Sequence, residues 1–145
     1  MIAVDTNLLV YAHRADSPWH DKAYELVRSL VESGRAWAVP WHCLFEFLAV
    51  VTHLRVYKPA TPLQQALEQI RVWKESPTLV LLGENESMLI QFATLAQNAQ
   101  CSGGMIYDAR IASLCIAHGV SELWTADRDF SRFPKLKTRN PLIVS

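Results

Sequence analysis

The sequence lacks the long apolar run that a membrane-spanning helix requires. Hydrophobic residues make up 50% of the chain. Asp5 nevertheless interrupts the first apolar run, and no later run approaches the roughly 18–20 residues of a span. No basic segment precedes an apolar stretch at the N-terminus. We therefore expect no signal peptide, no membrane partner and a cytoplasmic location.

Cysteine is scarce, and its pattern indicates neither a zinc site nor a disulfide framework. The three cysteines, Cys43, Cys101 and Cys115, are widely spaced and form no CxxC pair. Cys43 and Cys115 lie in apolar helical patterns, where a buried thiol is the usual role. The five histidines are also scattered, without an HxxxH pair. We expect them to be structural or surface residues rather than metal ligands.

The chain carries no net charge, because 14 basic residues balance 14 acidic ones. This balance excludes a polycation that binds nucleic acid through its overall charge. The segment after Asp127 is locally basic, with Arg128, Arg132, Lys135, Lys137 and Arg139 against Asp129 alone. Such a segment either contacts phosphates or is simply a solvated face, and the sequence leaves both readings open.

Short apolar runs alternate with helical patterns along the whole chain. Strands are predicted at 2–4, 36–39, 79–82, 123–125 and 142–144, and helices at 8–12, 19–33, 41–54, 63–77, 84–98 and 105–118. Residues 129–133 are predicted as a short helical turn, and 134–141 as an irregular basic loop. This alternation predicts a single α/β domain over residues 1–145, with a central parallel sheet of four to five short strands covered by helices on both faces.

The predicted helix at 41–54 is almost entirely apolar, with one carboxylate, Glu46, near its middle. A helix of this composition is expected to be buried on most sides, with Trp41, Phe45 and Phe47 in the core. A lone buried charge is costly unless it is paired or bound to a metal. Glu46 is therefore either a functional carboxylate or a residue that faces solvent or pairs with an arginine.

Three further acids lie where predicted strands end or helices begin. Asp5 follows the first strand, Asp127 follows the fourth, and Asp108 lies in the first turn of a helix. Because the carboxyl ends of parallel strands share one edge of a sheet, we expect these acids to converge there, with Glu46 joining them from its helix. The plainer alternative is that each acid only favours a helix N-terminus.

A cluster of carboxylates needs a counter-charge, because several of them within a few Å cannot all stay ionised. Ligation by oxygen alone favours Mg²⁺ or Mn²⁺. A cation in such a site activates water and polarises a phosphoryl oxygen, which is the chemistry of phosphodiester hydrolysis. Thr6, Asn7 and Thr125 lie beside the acids and are predicted to orient carboxylates or water, although a polar residue after a strand is more often only a cap.

Four segments in one order carry a family resemblance. They are VDTN at 4–7, FEF at 45–47, YDARIASL at 107–114, and WTADRDFSRFP at 124–134, the last followed by RNPL at 139–142. In this order they resemble the PIN-domain ribonucleases and, within these, the VapC-type toxins of type II toxin–antitoxin systems. The resemblance covers essentially the whole chain.

The resemblance implies a three-layer α/β/α PIN-like domain and an endoribonuclease that hydrolyses RNA phosphodiester bonds with Mg²⁺ or Mn²⁺. It implies that Asp5, Glu46, Asp108 and Asp127 form the catalytic acidic centre. We expect Asp5, Asp108 and Asp127 to hold the metal, with Asp129 as a more variable contributor. The resemblance also implies a homodimer and a cognate VapB-like antitoxin whose segment occupies the groove near the acids.

Arg110 has two possible roles in this picture. It either contacts substrate phosphate, as Arg14 also could, or pairs with an acid of the site and so reduces repulsion when metal is absent. Two other functions stay open for the whole chain. One is a PIN fold that binds RNA or a protein partner without chemistry. The other is a metal-dependent phosphatase, although Asp5-Thr6-Asn7 lacks the second aspartate of a DxD nucleophile motif.

Overall fold

Five short strands form one parallel sheet in the computed structural model, which describes residues 1–143. The strands are β1 (Ile2–Val4), β2 (Trp37–Pro40), β3 (Leu79–Leu82), β4 (Glu122–Trp124) and β5 (Thr138–Arg139). Their order across the sheet is β3-β2-β1-β4-β5. Because β1 pairs with β2 on one side and with β4 on the other, the order of the strands reverses at β1. A reversal of this kind opens a crevice at the carboxyl ends of the strands.

Helices cover both faces of the sheet, as the alternation predicts. They are α1 (Thr6–His13), α2 (His20–Glu32), α3 (Trp41–Val51), α4 (Leu63–Lys74), α5 (Met88–Asn98) and α6 (Met105–Ala117), followed by a short 3₁₀ helix (Arg128–Arg132). Helix α1 packs on α2 and α3, α3 packs on α4, and α5 packs on α6. The predicted three-layer α/β/α architecture is thus confirmed. Among the residues that the structure describes, none of the helices is long and apolar enough to cross a membrane.

The central strands lie deep in the core. All four residues of β2 are buried, which is usual for a parallel strand covered on both faces. Trp37 satisfies its buried indole N–H by donating to the Ser76 hydroxyl at 3.0 Å. Cys43 and Cys115 are buried free thiols, as predicted. The carboxyl ends of β1 and β4, which carry two of the predicted acids, therefore rest on a tightly packed base.

The last strand lies earlier in the chain than the apolar run at 142–144 predicts. Strand β5 falls inside the segment predicted as an irregular loop. Leu142 is buried, but it lies in a turn and donates its N–H to the Asn140 side chain at 3.0 Å. The apolar character of Leu142 therefore reflects its burial in the core, and not a position in a strand. Val144 lies outside the described residues.

Helix α3 is buried on one face only, so the expectation of a mostly buried helix is wrong. Phe47 is fully buried and Cys43 beside it is too, whereas Phe45 is 65% and Trp41 43% exposed. The Glu46 side chain is also 44% exposed. Apolar composition alone did not distinguish the face that packs on α1 and α4 from the face that points outward.

Because α3 is buried on one face only, replacing Phe47 and replacing Phe45 should lower the free energy of unfolding by very different amounts. Phe47→Ala removes a ring that contacts the Trp73 ring at a centroid distance of 4.9 Å, and should lower the free energy of unfolding by about 3–5 kcal/mol. Phe45→Ala on the exposed face should change it by about 0.5 kcal/mol or less. Urea denaturation followed by circular dichroism measures both values. Equal losses would contradict the orientation of α3.

Candidate active site

The predicted acids meet in a cleft at the carboxyl ends of β1 and β4. The cleft has a volume of about 330 Å³. The predicted site residues that line it are Asp5, Thr6, Asn7, Glu46, Asp108 and Asp127. These side chains come from four distant parts of the sequence and are brought together by the reversal of strand order at β1.

Asp5 lies at the floor of the cleft and is only 4% exposed. It caps α1 by accepting the Thr6 backbone N–H at 2.8 Å, and its other oxygen accepts the Thr125 hydroxyl at 2.8 Å. Burial raises the pKa of Asp5, while the hydrogen bonds from Thr125 and Thr6 act in the opposite direction. Asp5 is thus both a helix cap and a buried carboxylate held in a fixed orientation, with Thr6 contributing through its backbone.

Thr125 and Asn7 connect the two strand ends that carry acids. The Thr125 hydroxyl donates to Asp5 and accepts the Asp127 backbone N–H at 3.0 Å. The Asn7 amide donates to Thr125 Oγ1 at 3.3 Å and accepts the Ala126 N–H at 3.1 Å. Both residues hold the loop after β4 against the start of α1, and their role in orienting carboxylates or water stays a prediction.

The most compact group of carboxylates differs in one member from the predicted metal ligands. Asp108, Asp127 and Asp129 each offer an oxygen, and these oxygens lie within 4.8 Å of one another. Asp127 also caps the 3₁₀ helix by accepting the Asp129 N–H at 2.8 Å. The predicted metal ligands are Asp5, Asp108 and Asp127. In the structure Asp129, and not Asp5, belongs to the compact trio, although Asp5 lines the same cleft. An oxygen-only group of this size fits a hard divalent cation.

Partial burial and the repulsion between the acids together change proton binding at Asp108. The pKa of Asp108 is raised to about 6, first by partial burial and then by the negative charges of Asp127, Asp129, Asp5 and Glu46. A carboxylate in this situation is relieved either by a proton or by a cation. The electrostatics of the cleft therefore favour a bound positive charge at neutral pH.

The two arginines considered for the site are engaged elsewhere. Arg110 forms a two-pronged ion pair with Glu84, with Nη2 at 3.0 Å from Oε2, and its Nη1 donates to His42 Nδ1 at 3.2 Å. Arg110 therefore pairs with an acid that does not line the cleft, and not with an acid of the site, which was one of its two possible roles. Arg14 pairs with Asp16 at 2.6 Å.

Aromatic side chains also line the cleft, and the sequence patterns did not predict this. They are Tyr11, His42, Tyr57, Tyr107 and Phe130. The His42 ring stacks parallel to the Tyr107 ring at a centroid distance of 5.8 Å. His42 precedes Glu46 by four residues on α3, which puts both on one side of the helix. This spacing could have indicated from the sequence that His42 lies beside Glu46. It was missed because the histidines were considered only as metal ligands.

Comparisons with known proteins identify the family of this chain. The PIN domain model matches residues 2–136. Ribonuclease VapC43 of Mycobacterium tuberculosis is 34% identical over 142 residues, which cover 98% of this chain and 96% of that protein. Ribonuclease VapC48 of the same organism is 28% identical over 137 residues, 94% of each chain. The chain therefore belongs to the PIN-domain family, among the VapC ribonucleases.

Solved structures show the same fold. VapBC2 from Rickettsia felis, bound to a DNA fragment from its promoter, superposes with a TM-score of 0.69 at 21% identity, covering 96% of this chain and 98% of that one. FitAcB from Neisseria gonorrhoeae gives a TM-score of 0.69 at 19% identity, covering 99% and 100%. At this identity the likeness concerns the fold alone.

The raised pKa of Asp108 predicts how its removal changes stability. An unfolded aspartate titrates near pH 3.9, so between about pH 4 and 6 the folded state binds more protons, and the contribution of Asp108 to stability falls as the pH rises. Asp108→Asn should therefore raise the Tm of metal-free protein at about pH 8, and the difference should shrink toward pH 4. Thermal denaturation in EDTA measures this.

Asp21→Asn provides a matched control for that experiment, because Asp21 is an exposed acid on α2. Asp21 lies in the first turn of α2, where a negative charge is favourable, so Asp21→Asn should lower the Tm slightly at about pH 8 instead of raising it. Parallel curves for the wild-type protein and Asp108→Asn would show that neither burial nor the neighbouring acids raise the pKa of Asp108.

Proposed function

We propose that this protein is a metal-dependent endoribonuclease that hydrolyses RNA phosphodiester bonds, and that it is the toxin of a VapBC-type toxin–antitoxin module. The observation that carries the proposal is the single cleft lined by Asp5, Glu46, Asp108 and Asp127. The near full-length similarity to ribonucleases named VapC supports the same reaction. Neither a PIN fold without chemistry nor a phosphatase has a comparable observation in its favour.

We infer that the cofactor is Mg²⁺ or Mn²⁺. The donors are carboxylate oxygens, which these hard cations prefer. Asp5, Asp108 and Asp127 would hold the cation, with Asp129 as a further ligand because it belongs to the compact trio. A cation bound there supplies neutralisation of charge, polarisation of a phosphoryl oxygen and a lowered pKa for water.

The residues of the chain have distinct tasks in this reaction. Glu46 is half-exposed at the cleft, so we assign it as the acceptor of the proton that leaves the attacking water. Thr125 and Asn7 hold Asp5 and the loop of Asp127 through hydrogen bonds. Fixed ligands of this kind avoid reorganisation during the reaction, which is the usual contribution of the residues behind a metal site.

RNA binding is assigned to the basic segment that follows Asp127. Arg128, Arg132, Lys135, Lys137 and Arg139 are all exposed. Lys137 approaches Glu122 at 3.3 Å but keeps 75% of its side chain in solvent. Because Arg14 and Arg110 are engaged in ion pairs, this segment is the better source of phosphate contacts.

We further propose a VapB-like antitoxin as the protein partner, a homodimer as the assembly and the cytoplasm as the location. VapBC2 from Rickettsia felis, which shares this fold, was solved as a VapBC pair. Several large apolar side chains of this chain are strongly exposed, among them Phe45, Leu54, Leu89 and Ile90. Exposed apolar surface of this kind is usual where a protein partner binds.

Replacing single acids should abolish RNA cleavage and leave the fold intact. Asp5→Asn and Asp108→Asn each remove a charge from the proposed metal site, so each should slow cleavage of a labelled RNA by about 100-fold or more. EDTA should stop the wild-type reaction, and added Mn²⁺ should restore it. Asp21→Asn, the same change on the surface of α2, should cleave at the wild-type rate.

The alternatives predict other results in the same assay. Wild-type rates for Asp5→Asn and Asp108→Asn, with circular dichroism unchanged, would contradict the assignment of the site. RNA binding without metal-dependent cleavage would favour a binding module, and turnover of a chromogenic phosphate ester would favour a phosphatase.

The toxin role predicts a growth phenotype. Induced expression of the wild-type chain should arrest bacterial growth, because cleavage removes an RNA that growth requires, and Asp108→Asn should relieve the arrest. Co-expression of a small protein encoded by an adjacent open reading frame should also relieve it. Arrest by wild-type chain and Asp108→Asn alike would show that toxicity does not come from catalysis.

A further inference from the structure

We propose that His42 is a positioning residue for Glu46, held by Arg110 and Glu84 in the tautomer that carries its proton on Nε2. The four side chains form a row from the outside of the cleft to its edge, in the order Glu84, Arg110, His42, Glu46. The inference rests on the proposed function, because it concerns the orientation of the carboxylate to which that function gives a catalytic task.

The tautomer follows from the partner of His42 Nδ1. Arg110 Nη1 lies 3.2 Å from Nδ1. A guanidinium group donates hydrogen bonds and cannot accept them, and it stays charged in proteins, so Nδ1 must be the acceptor. The one proton of the neutral imidazole then lies on Nε2. A doubly protonated ring is incompatible with this contact, because Nδ1 would carry its own proton toward the guanidinium.

Glu84 keeps Arg110 in this position. Its carboxylate accepts from both Nε and Nη2 of Arg110, the latter at 3.0 Å, and the hydrogen bond from Arg110 lowers the pKa of Glu84. A two-pronged pair fixes the plane of the guanidinium as well as its distance. The third donor, Nη1, is therefore directed at His42 and not left to rotate in solvent.

The opposite side of the ring faces Glu46. His42 Nε2 is shielded from solvent and makes no hydrogen bond within the described part of the chain. Glu46 Oε2 lies 3.5 Å away, slightly beyond ordinary hydrogen-bond length. A buried N–H without an acceptor is unfavourable, so closing this gap is favourable. The Glu46 side chain is half-exposed and has the freedom to close it, whereas the stack on Tyr107 holds the histidine ring in place.

The consequence concerns the rotamers of Glu46. An exposed glutamate samples several side-chain conformations, and ordering it costs conformational entropy at each turnover. A fixed N–H at Oε2 selects one of them and leaves Oε1 for a water in the cleft. His42 touches neither the substrate nor the proposed metal in this assignment, and acts only through Glu46.

Two substitutions separate this role from simple packing. His42→Phe keeps an aromatic ring to stack on Tyr107 but removes both nitrogens, and should lower kcat for Mn²⁺-dependent RNA cleavage about 10- to 100-fold with little change in KM. His42→Gln returns an amide N–H near the former Nε2 and should recover most of the loss. His53→Phe removes a hydrogen bond outside this row, which Nδ1 accepts from the Arg55 backbone N–H at 3.1 Å, and should leave kcat unchanged.

A double-mutant cycle tests whether His42 acts through Glu46. In a Glu46→Gln background, His42→Phe should reduce kcat by no more than about 2-fold, because the carboxylate that His42 positions is already replaced by an amide that cannot take a proton from water. An equal reduction in both backgrounds, or a wild-type kcat for His42→Phe, would overturn the proposal. Equal reductions of kcat in His42→Phe and His42→Gln would also overturn it. They would show that kcat falls because the imidazole ring is missing, and not because the N–H is missing.

A measurement that does not depend on RNA cleavage separates the positioning role of His42 from the proposed ribonuclease function. In nitrogen-15 NMR spectra of metal-free protein at neutral pH, His42 should be the Nε2–H tautomer. Arg110→Met should allow the other tautomer, and Glu46→Gln should shift the Nε2–H resonance. A His42 ring protonated on Nδ1 would overturn the positioning role even if the protein cleaves RNA. A wild-type protein that shows the predicted tautomer but cleaves no RNA would overturn the proposed function alone.

Discussion

Repulsion between carboxylates at one end of the sheet is the constraint on which the rest of this structure depends. Asp108 shows it most directly, since its pKa is raised to about 6 by burial and by the surrounding acids. Neutral donors offset part of the cost at the floor of the cleft, where Asp5 accepts from Thr6 and Thr125. No such donor replaces a full positive charge. The packed strands β1 and β4 therefore hold the acids together against their repulsion, which a cation would relieve.

The topology and most of the candidate site could be predicted from sequence because both depend on local features. Short apolar runs predict strands, and an acid directly after such a run lies at the functional edge of a parallel sheet. Asp5 and Asp127 are examples, each following a strand that is buried in the structure. Asp108 was expected at the same edge because it lies in the first turn of a helix, and its role in the acidic centre came from the family resemblance. None of these inferences required knowledge of long-range packing.

The features that sequence did not reveal depend on packing between distant elements. The orientation of α3 is one, because an apolar helix can present either face, and Phe45 and Trp41 point outward. Strand β5 is another, since two residues are too short to show a period. The partner of Arg110 is a third, because Glu84 comes from a loop 26 positions away whose course depends on the sheet.

The pairing of β1 with β4 has a consequence for the timing of synthesis. Asp5 receives its hydrogen bond from Thr125, 120 positions later in the chain, and Asp127 follows two residues after that. A growing polypeptide thus contains Asp5 from the start of synthesis. It lacks Thr125 and Asp127 until most of the chain has been made. The acids of the cleft can therefore meet only when synthesis of the chain is almost complete.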